Sequence, residues 1–295
     1  MTYDQFIVKV KEQVVKGVAD SVTVTVHTAV KNNGIMRKGL TFTEHGSKIA
    51  PTIYLEEYYQ RFQKGLSEEQ AAGEILTLYA KVRFGQPFQA DSLSKYEEVR
   101  EKVVYRLVNR KANAALLDHI PYQEYLDLAV IFYVLVEVND YGMAAMSIRK
   151  EHLELWGVSE EEIFRQAHHN THRILPEELQ TMQSVLLDIT GEGKEEKPED
   201  MLYVLSNRLR SHGAAAILYD GCLEKIADRL ASSYYVLPSS IHEVIITPDR
   251  HLFSYRELSK MVKEINETQV EPEEVLSDHA YYYDKKKKRL TCFHA

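Results

Sequence analysis

The apolar positions of this chain change period several times, and each change marks a new element. Phe6, Ile7, Val10, Val14 and Val15 stand at helical spacing, so residues 3–16 predict a short opening helix. Val22, Val24, Val26 and Val30 then alternate with Thr23, Thr25 and His27. Asn32-Asn33-Gly34 supplies turn residues before a second run at 35–42, which together predict a β-hairpin. From Tyr54 the helical period returns through Leu55, Tyr58, Tyr59 and Phe62, and Gly65 is a stop signal. Ser67 and Gln70 have the spacing of a capping box, heading a helix through Ile75, Leu76, Tyr79 and Val82 that should end at 85–87.

Residues 96–104 predict a further helix. The longest fully apolar run, 128–136, is rich in β-formers and predicts a buried strand within 122–138, paired with 143–148 across a turn at 139–142. Ser159 with Glu162 heads a helix through Ile163, Phe164, Ala167 and Ile174 that Pro176 terminates. Residues 191–200, GEGKEEKPED, hold no apolar side chain and predict a flexible acidic loop. A strand at 201–205, a small-residue run at 213–219 and a helix through Leu223, Ile226, Ala227 and Leu230 follow. Two strands then bracket 238–243, Ser254 with Glu257 caps a last helix, and 281–293 closes the chain as a hairpin.

Helices and strands mix without β-α-β alternation. The expected fold class is therefore α+β, with mainly antiparallel β-hairpins and no doubly wound sheet. We expect two lobes, an N-terminal α/β lobe at 1–115 and a C-terminal α+β lobe at 116–295.

Composition narrows the function classes. With 44% hydrophobic and 27% charged residues, 13 Gly and 8 Pro, the 295-residue chain has the make-up of an ordinary globular protein. A net charge of −8 provides no global positive field for a polyanion, which argues against nucleic acid as a partner. The 128–136 run is about half the length that a membrane-spanning helix needs, so no membrane span is expected. Met1-Thr2-Tyr3-Asp4 enters a charged helical pattern without an export signal, and Cys222 and Cys292 stand alone. Both features point to a reducing, cytoplasmic setting.

The most informative polar segment is YVLPSSIHEVIITP at 235–248, in which Ser239, Ser240, His242 and Glu243 combine hydroxyls, an imidazole and a carboxylate between two apolar strands. Nucleophilic catalysis needs such groups in mutual hydrogen-bond reach. On a strand, however, His242 and Glu243 point to opposite faces, and no nucleophile-elbow glycines surround the serines. A binding turn is the favoured reading, with no catalytic residue assigned; a serine hydrolase using Ser239 or Ser240 with His242 is the alternative.

His168, His169 and His172 contain an i, i+4 pair that could meet one metal on a helix face. The glutamate of a zinc-protease motif is missing, the pair falls on the side away from Ile163, and no third ligand is adjacent. We therefore expect surface histidines, no metal and no cofactor. Lys285-Lys286-Lys287-Lys288-Arg289 reads as a charged hairpin tip rather than a phosphate patch, because tyrosines precede it and an apolar strand follows. The 19 tyrosines suit either an interface or the edges of a core. Gly213 precedes three alanines, a pattern for close packing rather than for cradling an anion.

Several segments in order resemble a bacterial family of unassigned function, domain of unknown function 5688. They are IAPTIYLEEYY at 49–59, LAVIF at 128–132, WGVSEEEIFRQAHHNT at 156–171, MLYVLSN at 201–207, GAAAILYDGCLEKIADRL at 213–230 and YVLPSSIHEVIITP at 235–248. A more distant likeness is to another uncharacterised bacterial family, which shares a Trp-Gly start, an Ala and an Asn later in that helix, and a terminal β-α-β-β unit. The resemblance implies a cytoplasmic bacterial protein and brings no catalytic residue with it. The combined expectation is a non-enzymatic binding or regulatory module that takes a protein or small-molecule partner.

Overall fold

The computed structural model describes residues 1–46, 50–82, 93–139, 142–191 and 202–292. The predicted helix end at 85–87, the turn residues 140–141 and most of the acidic segment, 192–200, lie outside them. Contacts divide the chain into two compact units, 1–98 with 137–143 and 99–136 with 144–295. The fold is α+β, built from helices and open antiparallel sheets.

In the first unit, α1 (Tyr3–Gly17) starts at a capping box. Thr2 Oγ1 accepts the Gln5 N–H at 3.3 Å and Gln5 Oε1 accepts the Thr2 N–H at 3.0 Å, so two otherwise unpaired amides are satisfied. β1 (Val22–Val30) and β2 (Met36–Glu44) form the predicted hairpin, and β3 (Thr52–Tyr54) adds to β2. α2 (Glu56–Gln63) stops before Gly65, whose φ of +112° only glycine takes freely. α3 (Glu68–Val82) opens on the Ser67–Gln70 box. Phe6, Val10 and Val14 of α1 share a core with Leu40 and Phe42 of β2 and Ile75 of α3. The two helices meet where a Cβ on Gly17 would lie 2.3 Å from Leu76 Cδ1.

α4 (Tyr96–Val99) is only one turn, followed by a 3-10 turn at Arg100–Lys102 and then β4 (Val103–Asn109). This corrects the helix expected over 96–104. Val103, Val104, Tyr105, Leu107 and Val108 are all at most 2% exposed, so both faces of the segment are covered although β4 stands at the edge of its sheet. After α5 (Ala114–Leu117) come β5 (Tyr122–Tyr125), β6 (Leu128–Asn139) and β7 (Gly142–Ser147). β6 is the buried strand of the apolar run, with β4 and β5 antiparallel on its two sides and β7 also paired to it.

α6 (Lys150–Trp156) and α7 (Glu160–Ile174) follow, and α7 is capped by Ser159. α7 lies on β4 through two buried polar residues. Asn170 Nδ2 donates to the carbonyls of Arg100 (2.7 Å) and Val103 (2.9 Å), and Thr171 Oγ1 accepts the Tyr105 N–H at 3.1 Å.

The remaining elements are β8 (Glu177–Thr181), α8 (Met182–Thr190), β9 (Tyr203–Asn207), α9 (Cys222–Leu230), β10 (Tyr234–Leu237), β11 (Val244–Pro248), α10 (Tyr255–Thr268), β12 (Tyr281–Asp284) and β13 (Arg289–Cys292). Six of these strands make an antiparallel sheet in the order β13-β12-β10-β11-β9-β8. The strands that bracket the polar segment are therefore paired to each other at the centre of this sheet. Asp127, between β5 and β6, accepts hydrogen bonds from Ser277 Oγ at 2.7 Å and from the Tyr281 hydroxyl, tying the smaller sheet to the larger one.

Candidate functional site

The segment joining β10 to β11 is held along its backbone. Ser239 and Ile241 exchange hydrogen bonds with 274–276: Leu276 N–H donates to Ser239 O at 3.0 Å, Ile241 N–H to Glu274 O at 2.8 Å. Ala214 N–H donates to Ile241 O at 3.2 Å, and Ser206 Oγ to His242 O at 2.8 Å. Pro238 and Ser240 are buried, while Ser239, His242 and Glu243 keep partial exposure. All four candidate residues thus stand within one short, well-anchored stretch.

Their side chains are engaged differently. Ser240 Oγ accepts the His242 N–H at 3.0 Å, so the hydroxyl is turned to that backbone amide rather than to an imidazole nitrogen. His242 Nδ1 accepts the backbone N–H of His212 at 3.3 Å, which places its own proton on Nε2, 3.3 Å from Glu274 Oε1. Both ring nitrogens are thereby committed. The Ser239 hydroxyl takes no hydrogen-bond partner among the described residues. Glu243 is partly withdrawn from water, and burial raises its pKa above the ordinary carboxylate value despite the opposing effects of His242 and Ser240.

Residues far away in sequence complete the surroundings. His212, in left-handed backbone at φ +53°, stacks its ring on His242 with centroids 5.4 Å apart. Arg106 of β4 donates from a terminal nitrogen to His212 Nε2 at 3.3 Å and lies over the Tyr133 ring, 5.4 Å from its centroid. The approach of 206–214 to the segment depends on Gly213: a Cβ there would sit 2.2 Å from Ser206 Oγ and 2.7 Å from His242 O. Arg106, His212 and Glu274 were not among the sequence-predicted residues. The signal for Arg106 was a lone charge inside the apolar run VVYRLV; nothing local marks His212 or Glu274.

A cleft of about 920 Å³ opens elsewhere in the same unit. Phe132, Phe164, Tyr105 and Tyr125 supply aromatic surface, while Glu224 and Arg289 bring opposite charges to it. His168 and His172 are exposed on α7, as its periodicity predicts. His168 borders this cleft 4.0 Å from Asp220, whereas His172 stacks on Tyr219 and lies 3.1 Å from Glu177. Among the described residues no group of three or more His, Cys, Asp or Glu side chains gathers as a metal would require.

The lysine run forms the β12–β13 turn. Asp284 Oδ1 accepts the N–H groups of Lys286 and Lys287, and Lys285 Nζ reaches the end of α9, 3.1 Å from Ala227 O and 3.2 Å from Asp228. No helix among the described residues is long and apolar enough to cross a membrane.

A family model described only as a family of unknown function, DUF5688, matches residues 3–285, nearly the whole chain. The chain belongs to this family. No curated protein and no solved structure gives a significant match. The DUF5688 match spans both compact units and every residue of the polar segment, but its description assigns none of them a role.

Proposed function

We propose that this DUF5688 member is a non-enzymatic binding module of the bacterial cytoplasm, in which Ser239, Ser240, His242 and Glu243 serve recognition. The observation that carries this reading is the commitment of both His242 nitrogens, one to His212 and one to Glu274. A serine nucleophile needs a base with a free nitrogen in reach of its hydroxyl, and this arrangement spends that nitrogen on fixing the segment. Ser239 and the partly exposed Glu243 are left as the groups that can meet a ligand. The cytoplasmic setting is supported by the free cysteines, whose thiols burial pushes up to about 12, which suppresses thiolate chemistry.

A serine-directed phosphonate probe tests the reading. The native protein should stay unlabelled while a control hydrolase reacts. Stoichiometric labelling of Ser239 or Ser240 that disappears in His242→Ala would replace the binding module with a hydrolase.

A second reading is favoured by the size of the aromatic cleft, since small-molecule sites commonly occupy about 300–1,000 Å³. Fragments bound there should be lost in Phe164→Ala and unaffected by Ser239→Ala in ligand-observed NMR; the reverse pattern would return the ligand to the polar segment.

A further inference from the structure

Arg106 is a positive charge on the largely buried strand β4, with no acidic partner among the described residues. Among the described residues no carboxylate lies within ion-pair distance of it, and the one ionisable neighbour that favours its charge is the Tyr133 phenol, itself held neutral with a pKa pushed up to about 12 by burial. Charges withdrawn from water are ordinarily paired, because desolvating an unpaired one costs several kcal/mol or roughly that order.

The neighbouring donors share the same deficit. A guanidinium can only donate, so its bond to His212 Nε2 puts the neutral imidazole proton on Nδ1. His212 Nδ1, Arg106 Nε and the Tyr133 hydroxyl are all shielded from solvent, and none of them has a hydrogen-bond partner. These residues are mutual neighbours, with the Tyr133 and His212 rings 6.4 Å apart and Arg106 touching both. Donors, one of them charged, therefore gather here without an acceptor. Arg106 and His212 each keep part of their surface open to solvent, while the three unpaired atoms themselves face inward.

We propose that Arg106, His212 and Tyr133 form a binding site for a small oxyanion, the phosphate or carboxylate group of a ligand. The site lies beside the polar segment, since His242 both stacks on His212 and accepts its N–H. The inference rests on the binding reading above and adds the chemical class of the ligand. An oxyanion supplies the missing acceptors and the missing negative charge together, and a planar guanidinium is suited to grip two of its oxygens. His242 acts as a positioning residue that holds the His212 backbone.

Titration of the full chain with inorganic phosphate and, separately, with acetate, followed through the His212 ring signals by NMR, tests this. Saturable shifts with at least one anion are expected, together with an upward move of the His212 titration, because a bound anion favours the imidazolium. Preference for one anion assigns the group as phosphate or carboxylate. Arg106→Gln should weaken that binding about tenfold or more, equivalent to about 1.4 kcal/mol, whereas Gly73→Ala, in the first unit and with open space around the added methyl, should leave it unchanged.

Retained binding in a folded Arg106→Gln protein overturns the site, and so does absence of saturable shifts with both anions in the native chain, which would leave an ordered water as the acceptor. If Arg106→Gln does not fold, the native titration and Tyr133→Phe decide by the same criteria. Anion binding lost only in Ser239→Ala would instead relocate the site to the polar segment.

Discussion

The hydroxyl of Thr171 in α7 accepts the backbone N–H of Tyr105 in β4 at 3.1 Å, inside the protein, and donates to Ala167 O at 2.6 Å. A helix and the edge strand beneath it are thus joined by a side chain that satisfies a strand amide with no ladder partner in that direction. Thr171→Val keeps the shape and leaves that N–H buried without an acceptor. The variant should lose about 1–3 kcal/mol of stability, read as a lower urea midpoint with an unchanged m-value. A midpoint equal to that of the native protein would show that the bond contributes nothing net.

His212 makes stability depend on acid. Burial, with Arg106 and His242 adding to it, pushes its pKa from 6.5 down to about 2. A base with a depressed folded-state pKa takes up its proton more readily when unfolded. Its contribution is therefore complete above pH 6.5 and is lost progressively as the pH falls toward the folded value, by at most about 1.4 kcal/mol per pH unit. His212→Asn, which tolerates the same left-handed backbone, should flatten the fall in stability between pH 6 and pH 4, roughly the window set by these values. Chemical denaturation at stepped pH measures it, and parallel curves for the two proteins would contradict the assignment.

Two glycines should answer oppositely to alanine. Gly73 in α3 has open space around the position of an added Cβ, so Gly73→Ala should gain about 0.5–1 kcal/mol. At Gly213 the same methyl group meets Ser206 Oγ at 2.2 Å, Asn207 N at 2.4 Å and His242 O at 2.7 Å, all parts of the candidate site. Gly213→Ala should cost about 1–3 kcal/mol and shift the amide resonances of His242 and Ser206. A neutral Gly213→Ala would mean that 206–214 packs less tightly on the polar segment than described.

Much of the architecture was legible where local chemistry and final environment agree. The Val-Thr alternation of β1, the boxes at Ser67 and Ser254, the apolar run of β6 and the pairing of β10 with β11 all follow from patterns a few residues long. β4 was not legible as a strand, because a continuous apolar run carries no period and the YEEV beginning favours a helix. β8, Glu-Glu-Leu-Gln-Thr, exists through its pairing with β9 rather than by strand propensity.

The polar segment itself could be found, since two apolar strands frame it, but the use of its side chains could not. Whether His242 is a free base or a bound strut depends on His212 and Glu274, which lie about thirty residues to either side. Asn170 offered a usable hint. It continues the Ile163 and Ala167 face of α7, so a polar group there had to be answered from within.

The bonds that Asp127 receives from Ser277 and Tyr281 also bear on how the chain is made. Synthesis delivers β6 long before these partners, and Asn109, whose side-chain amide donates to Leu276 O at 2.9 Å, waits for the same stretch. The most apolar strand of the protein is therefore translated more than a hundred residues ahead of the groups that seal the turn beside it. A chain stalled or truncated before residue 276 therefore leaves Asp127 and Asn109 without these partners, although the strands and the helix that pack on β6 have already been made.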